Sequence, residues 1–148
     1  GNTILLVSHD MGVHFQITTK MLIMYAAKVV EYADTDDIFQ RPLHPYTVML
    51  TNSLPTIGDD RARHGLPGRP PSLWEPPQGC RFAPRCPLAT DLCRQQEPRL
   101  TEHGRGHFSA CHYAEHVLEF KQTLQAGPKL SEIAHDPSKL IAGVESAE

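Results

Sequence analysis

The sequence has 148 residues, 40% hydrophobic and 21% charged, with 13 Pro, 10 Gly and a formal net charge of −3. This is a globular composition for about one domain, and it excludes wholesale disorder; its mildly acidic balance also argues against a general nucleic-acid binder. The longest apolar run, Met21 to Ala27, falls short of the roughly 18 residues a spanning helix needs, and no N-terminal stretch has the make-up of an export signal.

The chain is therefore expected neither to cross a membrane nor to direct its own export. An apolar run starts almost directly after Gly1, so the sequence reads as one entered midway. Ile4-Leu5-Leu6-Val7 predicts a strand buried on both faces, ending at Ser8-His9-Asp10, and a short helix follows from Met11 to about Thr18. Met21–Tyr25 and Lys28–Tyr32 predict two strands joined at Ala26-Ala27, a poor turn sequence for a hairpin. Asp34 or Thr35 caps a short helix through Phe39, and Pro45 sits in the first turn of another running to about Leu54. Residues 55–79 are rich in Pro, Gly and Arg and predict a linker, with Leu73 and Trp74 pinned onto a neighbouring surface. Residues 80–112 hold all four cysteines and too few aliphatic residues for a core of their own. A helix from about Tyr113 to Leu124, with Val117, Leu118 and Leu124 on one side, leads into a weakly ordered tail ending at residue 148.

Cys80, Cys86, Cys93 and Cys111 leave gaps of five, six and seventeen residues. A small, core-poor segment with four cysteines needs a covalent or metal staple. Disulfides allow three pairings, but nothing here indicates an oxidising compartment. Four thiolates satisfy tetrahedral zinc, although structural zinc sites usually draw ligands from close pairs. An iron–sulfur cluster also takes four thiolates and tolerates wider gaps, so spacing leaves zinc and iron–sulfur about even. Arg81 and Arg85 flank the first two cysteines and either offset thiolate charge or sit solvated at the surface. His107 and His112 flank Cys111 as alternative ligands, ranked below an all-cysteine set. His9 ends the first predicted strand, where open α/β sheets place reactive side chains.

Leu5-Leu6-Val7-Ser8-His9-Asp10-Met11 resembles the switch-histidine segment of ABC transporter ATPases. Met24 to Glu31, Ile38-Phe39 and Pro42-Leu43-His44-Pro45-Tyr46-Thr47 follow in the order of the oligopeptide, dipeptide and nickel importer subfamily. Leu66 to Leu73, Gly79 to Pro87, Cys93 and Ala110-Cys111-His112 are similar to that subfamily's C-terminal extension. The resemblance implies an α/β fold: the C-terminal fragment of a P-loop ABC ATPase domain over residues 1–54, then the linker, then a small irregular cysteine-rich metal-binding domain over 80–112. It implies that His9 senses the γ-phosphate of ATP and orients the attacking water, a role an imidazole donor suits. It further implies that Cys80, Cys86, Cys93 and Cys111 hold a [4Fe-4S] cluster, with zinc as the alternative. The implied partners are transmembrane permease subunits, a second ATP-binding subunit and, indirectly, an extracytoplasmic substrate-binding protein, at the cytoplasmic face of the plasma membrane.

No phosphate-binding G-x-x-x-x-G-K-[ST] loop occurs in the sequence, and the family's Gln loop and LSGGQ-type motif are also missing. ATP and Mg²⁺ are thus expected in the complete subunit, while this chain alone is expected not to hydrolyse ATP. The competing reading is a stand-alone metal-binding interaction module. Ala27 and Ala33 stand where the family often has Gly, and Thr18-Thr19-Lys20 replaces its usual A-D-R. A sheet fragment of this kind is also expected to expose apolar surface and to self-associate.

Overall fold

The computed structural model describes residues 1–54, 66 and 68–126. Alternation sets the first hairpin: in β1 (Lys20–Tyr25) Met21, Ile23 and Tyr25 turn inward, and the strand pairs antiparallel with β2 (Lys28–Asp34). Ala26 and Ala27 close the turn, both left-handed at φ 46° and 63°. That geometry follows the twist of the strands but suits Asn-Gly, since a side chain in the left-handed region costs roughly 1 kcal/mol. Ala33, the other alanine at a family glycine position, is fully buried in β2 and has no positive φ. Ala27→Gly is therefore expected to raise stability by about 1 kcal/mol, read as a higher urea midpoint. Ala33→Gly should lower it.

The hairpin register slips once. Ile23 opposes Glu31 but Met24 opposes Val29, leaving Val30 as the extra residue of a β-bulge. As a result two successive residues, Val30 and Glu31, are buried where strict alternation would bury one.

Helix α1 (Met11–Ile17) precedes the hairpin, and α2 (Thr35–Gln40) and α3 (Pro45–Asn52) follow it. Asp36 and Asp37 lie in the first turn of α2, where the helix dipole favours carboxylates. Asp34 occupies the N-cap position without capping, because its carboxylate meets Lys20 Nζ at 2.6 Å. The cysteine region contributes α4 (Asp91–Gln95) and two short strands, β3 (Thr101–Glu102) and β4 (Phe108–Ser109). A 3₁₀ turn at Ala114–His116 leads into α5 (Val117–Gln125), which lies against α3.

The strands form one antiparallel sheet in the order β1-β2-β4-β3. The hairpin and the cysteine region thus share a sheet. They also share a core, in which Met21, Ile23, Ile38 and Val48 meet Phe82, Leu88 and Phe120. This sharing explains how a segment so poor in aliphatic residues is held: its hydrophobic partners come from the N-terminal elements.

Three expectations are corrected. Ile4–Val7 forms no strand, and Ile4, Leu5 and Val7 are 86%, 89% and 88% exposed, because none of the described residues supplies a neighbouring strand. In α5 the inward face is Val117, Phe120 and Leu124, spaced i, i+3, i+7, so Leu118 faces outward. Leu73 and Trp74 do not pin their segment; Trp74 is 95% exposed. Residues 55–65, 67 and 127–148, which include most of the linker and the tail, lie outside the described residues. Among the described residues no helix is long and apolar enough to cross a membrane.

Candidate functional site

Gly79 begins the site. It passes so close to the end of α4 that a Cβ there would fall 2.6 Å from the carbonyl carbon and oxygen of Arg94. This contact lets the Cys80 amide donate to the Cys93 carbonyl at 2.7 Å, tying the first cysteine to the third. Phe82, almost fully buried, then inserts between Tyr25, His44 and Tyr46, at centroid distances of 5.1, 5.8 and 5.4 Å. Arg81 donates to the Ala26 carbonyl in the hairpin turn, and Arg85 donates to Tyr25 Oη at 3.2 Å and the Leu66 carbonyl at 3.2 Å. The two arginines are therefore not simply solvated at the surface; they fasten the cysteine region to the hairpin.

Cys80, Cys86, Cys93 and Cys111 all line one small cavity, with His44, Phe82, Leu88 and Pro98 among its other walls. All four are free thiols, so the disulfide alternative is not realised. Three sulfurs lie beside amides two residues further on: Cys80 beside Phe82, Cys86 beside Leu88, and Cys111 beside Tyr113, whose N–H is 3.4 Å from Cys111 Sγ. Thr90 Oγ1 donates to Cys93 Sγ at 3.6 Å. Such donors stabilise thiolates, and they are the kind of outer support a thiolate-bound centre uses.

Burial acts the other way on the uncharged thiols. It pushes Cys80 up, Cys86 well up and Cys111 to about 12, so all three are protonated in the metal-free chain at neutral pH. Among the described residues no three His, Cys, Asp or Glu side chains are placed to hold a metal ion. The cavity itself is about 10 Å³, the room of one water molecule, so a larger centre is accommodated only by repacking of its apolar walls.

His112 lines the same cavity, and its Nε2 lies 3.0 Å from the Gln96 carbonyl. His107 is elsewhere: its Nε2 is 2.7 Å from Glu31 Oε1 in a buried pair. The Leu43 amide donates to the same carboxylate oxygen at 2.7 Å, and Ser109 Oγ donates to the Leu43 carbonyl at 2.7 Å. Glu31 Oε2 is buried with no partner. The backbone of Leu43 is thus gripped at both its N–H and its carbonyl, once from β2 and once from β4. His44, the next residue, is consequently seated in the cavity wall, where its Nδ1 accepts the Tyr46 N–H at 3.1 Å and caps α3.

Burial pulls the His44 pKa down to about 3, from an ordinary value near 6.5. The folded chain holds this imidazole neutral, whereas the unfolded chain takes up a proton below pH 6.5. Its contribution to stability is complete above that pH and falls by about 1.4 kcal/mol per unit on acidification toward 3. Between pH 7 and 5 the parent is expected to lose about 2 kcal/mol more than His44→Asn, a variant that keeps a capping acceptor, as measured by urea unfolding at each pH.

His9 stands apart from these groups. It is exposed on the segment before α1 and lines neither the cysteine cavity nor the groove beside it. Its neighbour Asp10 has a clear structural part, capping α1 by accepting the Val13 amide at 3.1 Å. Glu31, Gly79 and His44 belong to the site's framework, yet residue type alone did not mark them. Glu31 lies in the predicted strand Lys28–Tyr32, and Glu31, His44 and Gly79 each fall within a segment that carries the family resemblance.

Comparison with known proteins places the same stretch in a family context. Residues 30–93 match the family model of the oligopeptide/dipeptide transporter C-terminal region. The match runs from the bulge in β2 to Cys93. The chain is 42% identical over 111 residues to the dipeptide transport ATP-binding protein DppD of Escherichia coli, covering 74% of this chain and 34% of that protein. It is 43% identical over 110 residues to the oligopeptide transport ATP-binding protein AppD of Bacillus subtilis, covering 74% and 34%. A dipeptide transport ATP-binding protein of Caldanaerobacter subterraneus is 41% identical over 115 residues, covering 76% and 35%. The chain therefore spans about a third of the length of the curated relatives it matches. These relatives are named as ATP-binding proteins of peptide transport.

Proposed function

We propose that this chain is the C-terminal portion of the ATP-binding subunit of a peptide-importing ABC transporter, and that Cys80, Cys86, Cys93 and Cys111 hold a [4Fe-4S] cluster within it. The observation that carries the cluster reading is the convergence of four free thiols on one cavity. Zinc at 2.3 Å from each sulfur needs a compact ligand set, and no such set occurs among the described residues. Either centre requires the apolar walls of the cavity to repack, and the cluster is preferred to zinc because residues 79–87, Cys93 and 110–112 resemble the importer subfamily's C-terminal extension. When bound, such a cluster would supply a staple for the fold and a redox-active group. The chain's own residues provide the rest: amides and Thr90 donate to the sulfurs, Phe82 and Leu88 exclude water, and the gripped Leu43 backbone fixes His44 against the site.

In the complete subunit His9 would donate to the γ-phosphate of ATP, with Mg²⁺ and the phosphate-binding loop supplied by the remainder of that protein. The subunit would act at the cytoplasmic face of the plasma membrane with a second ATP-binding subunit and permease subunits, receiving peptide from an extracytoplasmic binding protein. Peptide is favoured over nickel by the transported substrates that the relatives' names give.

Anaerobic purification followed by visible absorption and iron, sulfide and zinc analysis tests the cluster. Iron and sulfide in equal amounts, lost on Cys→Ser at any of the four positions, is the expected result; zinc without iron from iron-replete cells overturns it. The chain alone is expected to show no ATP turnover. Metal-dependent hydrolysis abolished in His9→Ala would refute that.

A further inference from the structure

A second, open groove of about 530 Å³ lies beside the cysteine cavity, between β2 and the segment 97–100. Cys80, Phe82 and Pro98 line both spaces and form the partition between them. Of these three, only Cys80 has a side chain able to ligate metal or act as a nucleophile. Cys86, Cys93 and Cys111 line the inner cavity alone.

The groove wall also carries Lys28, Arg81 and Arg99 against one acidic residue, Glu97, and Glu97 is already paired with Lys28 at 2.8 Å. A positive balance in a concave, partly apolar wall draws small anions.

We propose that this groove is the port of the cysteine centre, where a small anionic chelator or metal carrier, bearing carboxylate or thiolate groups, meets Cys80 before any other cysteine. The port's role in metal traffic rests on the metal-centre reading above. The order of access to the thiols does not. Arg99, exposed at the mouth, attracts the anion; Phe82 and Pro98 keep it from passing directly to the inner three cysteines.

The test uses the full chain, reduced and metal-free, with iodoacetate and iodoacetamide as anionic and neutral probes. In both reactions the Sγ thiolate displaces iodide from the reagent's methylene carbon, and the thiol proton passes to buffer. Peptide mapping by mass spectrometry should show Cys80 alkylated at least tenfold faster than Cys86, Cys93 and Cys111. Arg99→Glu should lower the iodoacetate-to-iodoacetamide rate ratio at Cys80 several-fold, after normalisation to free cysteine. Leu100→Trp, which narrows the groove, should slow both reagents at Cys80. Another cysteine labelling first, or an unchanged ratio in Arg99→Glu, overturns the port.

In iron-loaded chain, bleaching of the visible band by EDTA should slow several-fold in Arg99→Glu; equal rates overturn the port's part in metal release. Cys80-first labelling in a chain that takes up neither iron nor zinc overturns the metal centre and leaves the order of access standing.

Discussion

Glu31→Ala is expected to lower stability by about 3 kcal/mol, a large share of the total for a domain of this size. The carboxylate is fully buried, and one oxygen serves two donors, His107 Nε2 and the Leu43 amide. Removing it strands both donors in a site that water does not reach, so the loss exceeds that of an ordinary exposed pair. His107→Ala should cost a similar amount from the other side, because the carboxylate then keeps only the Leu43 amide. Replacing both, as in Glu31→Leu with His107→Phe, should recover only part of the stability, since the apolar pair carries no desolvation penalty but the Leu43 amide still lacks its acceptor. Urea midpoints of the parent, Glu31→Ala, His107→Ala and the Glu31→Ala/His107→Ala double variant form a double-mutant cycle. Additive losses would show that the two side chains do not depend on each other.

Gly79→Ala should have an effect of similar size for a different reason. The added methyl would meet the Cys93 carbonyl oxygen and lie 2.6 Å from the Arg94 carbonyl carbon and oxygen, all of them backbone atoms that no rotamer change can clear. The chain must separate there, breaking the 2.7 Å bond from the Cys80 amide to Cys93. A cost of about 3 kcal/mol is expected, with reduced iron retention because Cys80 leaves its place beside Cys93. Gly104→Ala is the control: its Cβ meets nothing within 4 Å, so only its φ of +99° is strained, at about 1 kcal/mol. Equal melting temperatures for the two variants would refute the packing argument.

Local chemistry made much of the fold legible. The hairpin, α2 and α3 follow from alternation, from acidic residues in a first turn and from Pro45 at a helix start. Each of these signals acts over a few residues. What escaped needed information from afar. Ile4–Val7 has strand composition, but a ladder requires a second strand. Glu31 sits in a strand whose alternation would turn it to solvent once Val30 is buried; the bulge reverses that, and a bulge has no composition of its own. Arg81 and Arg85 resemble any surface arginines until the hairpin turn arrives beneath them. Phe120 completes the face that Val117 and Leu124 mark, three residues after the one and four before the other, whereas Leu118 lies one step round the helix from Val117 and faces outward.

The site divides in the same way. Four cysteines in one short segment are visible in the sequence as a group, and they do share a cavity. The wall that closes the cavity is not visible, since His44 comes from the far side of the linker.

The bulge at Val30 has one more outcome. Its carbonyl receives the Ala110 amide at 2.9 Å, one residue before Glu31 in β2 and one residue before Cys111 just past the end of β4. That amide is one of several links between the β-hairpin and the cysteine region, beside the β2–β4 ladder and the bonds from Arg81, Arg85 and Ser109. Its exchange with solvent deuterium requires the Val30–Ala110 bond to open. The residue-110 amide is accordingly a built-in gauge of whether chemistry at the sulfurs is felt by the strands that precede them.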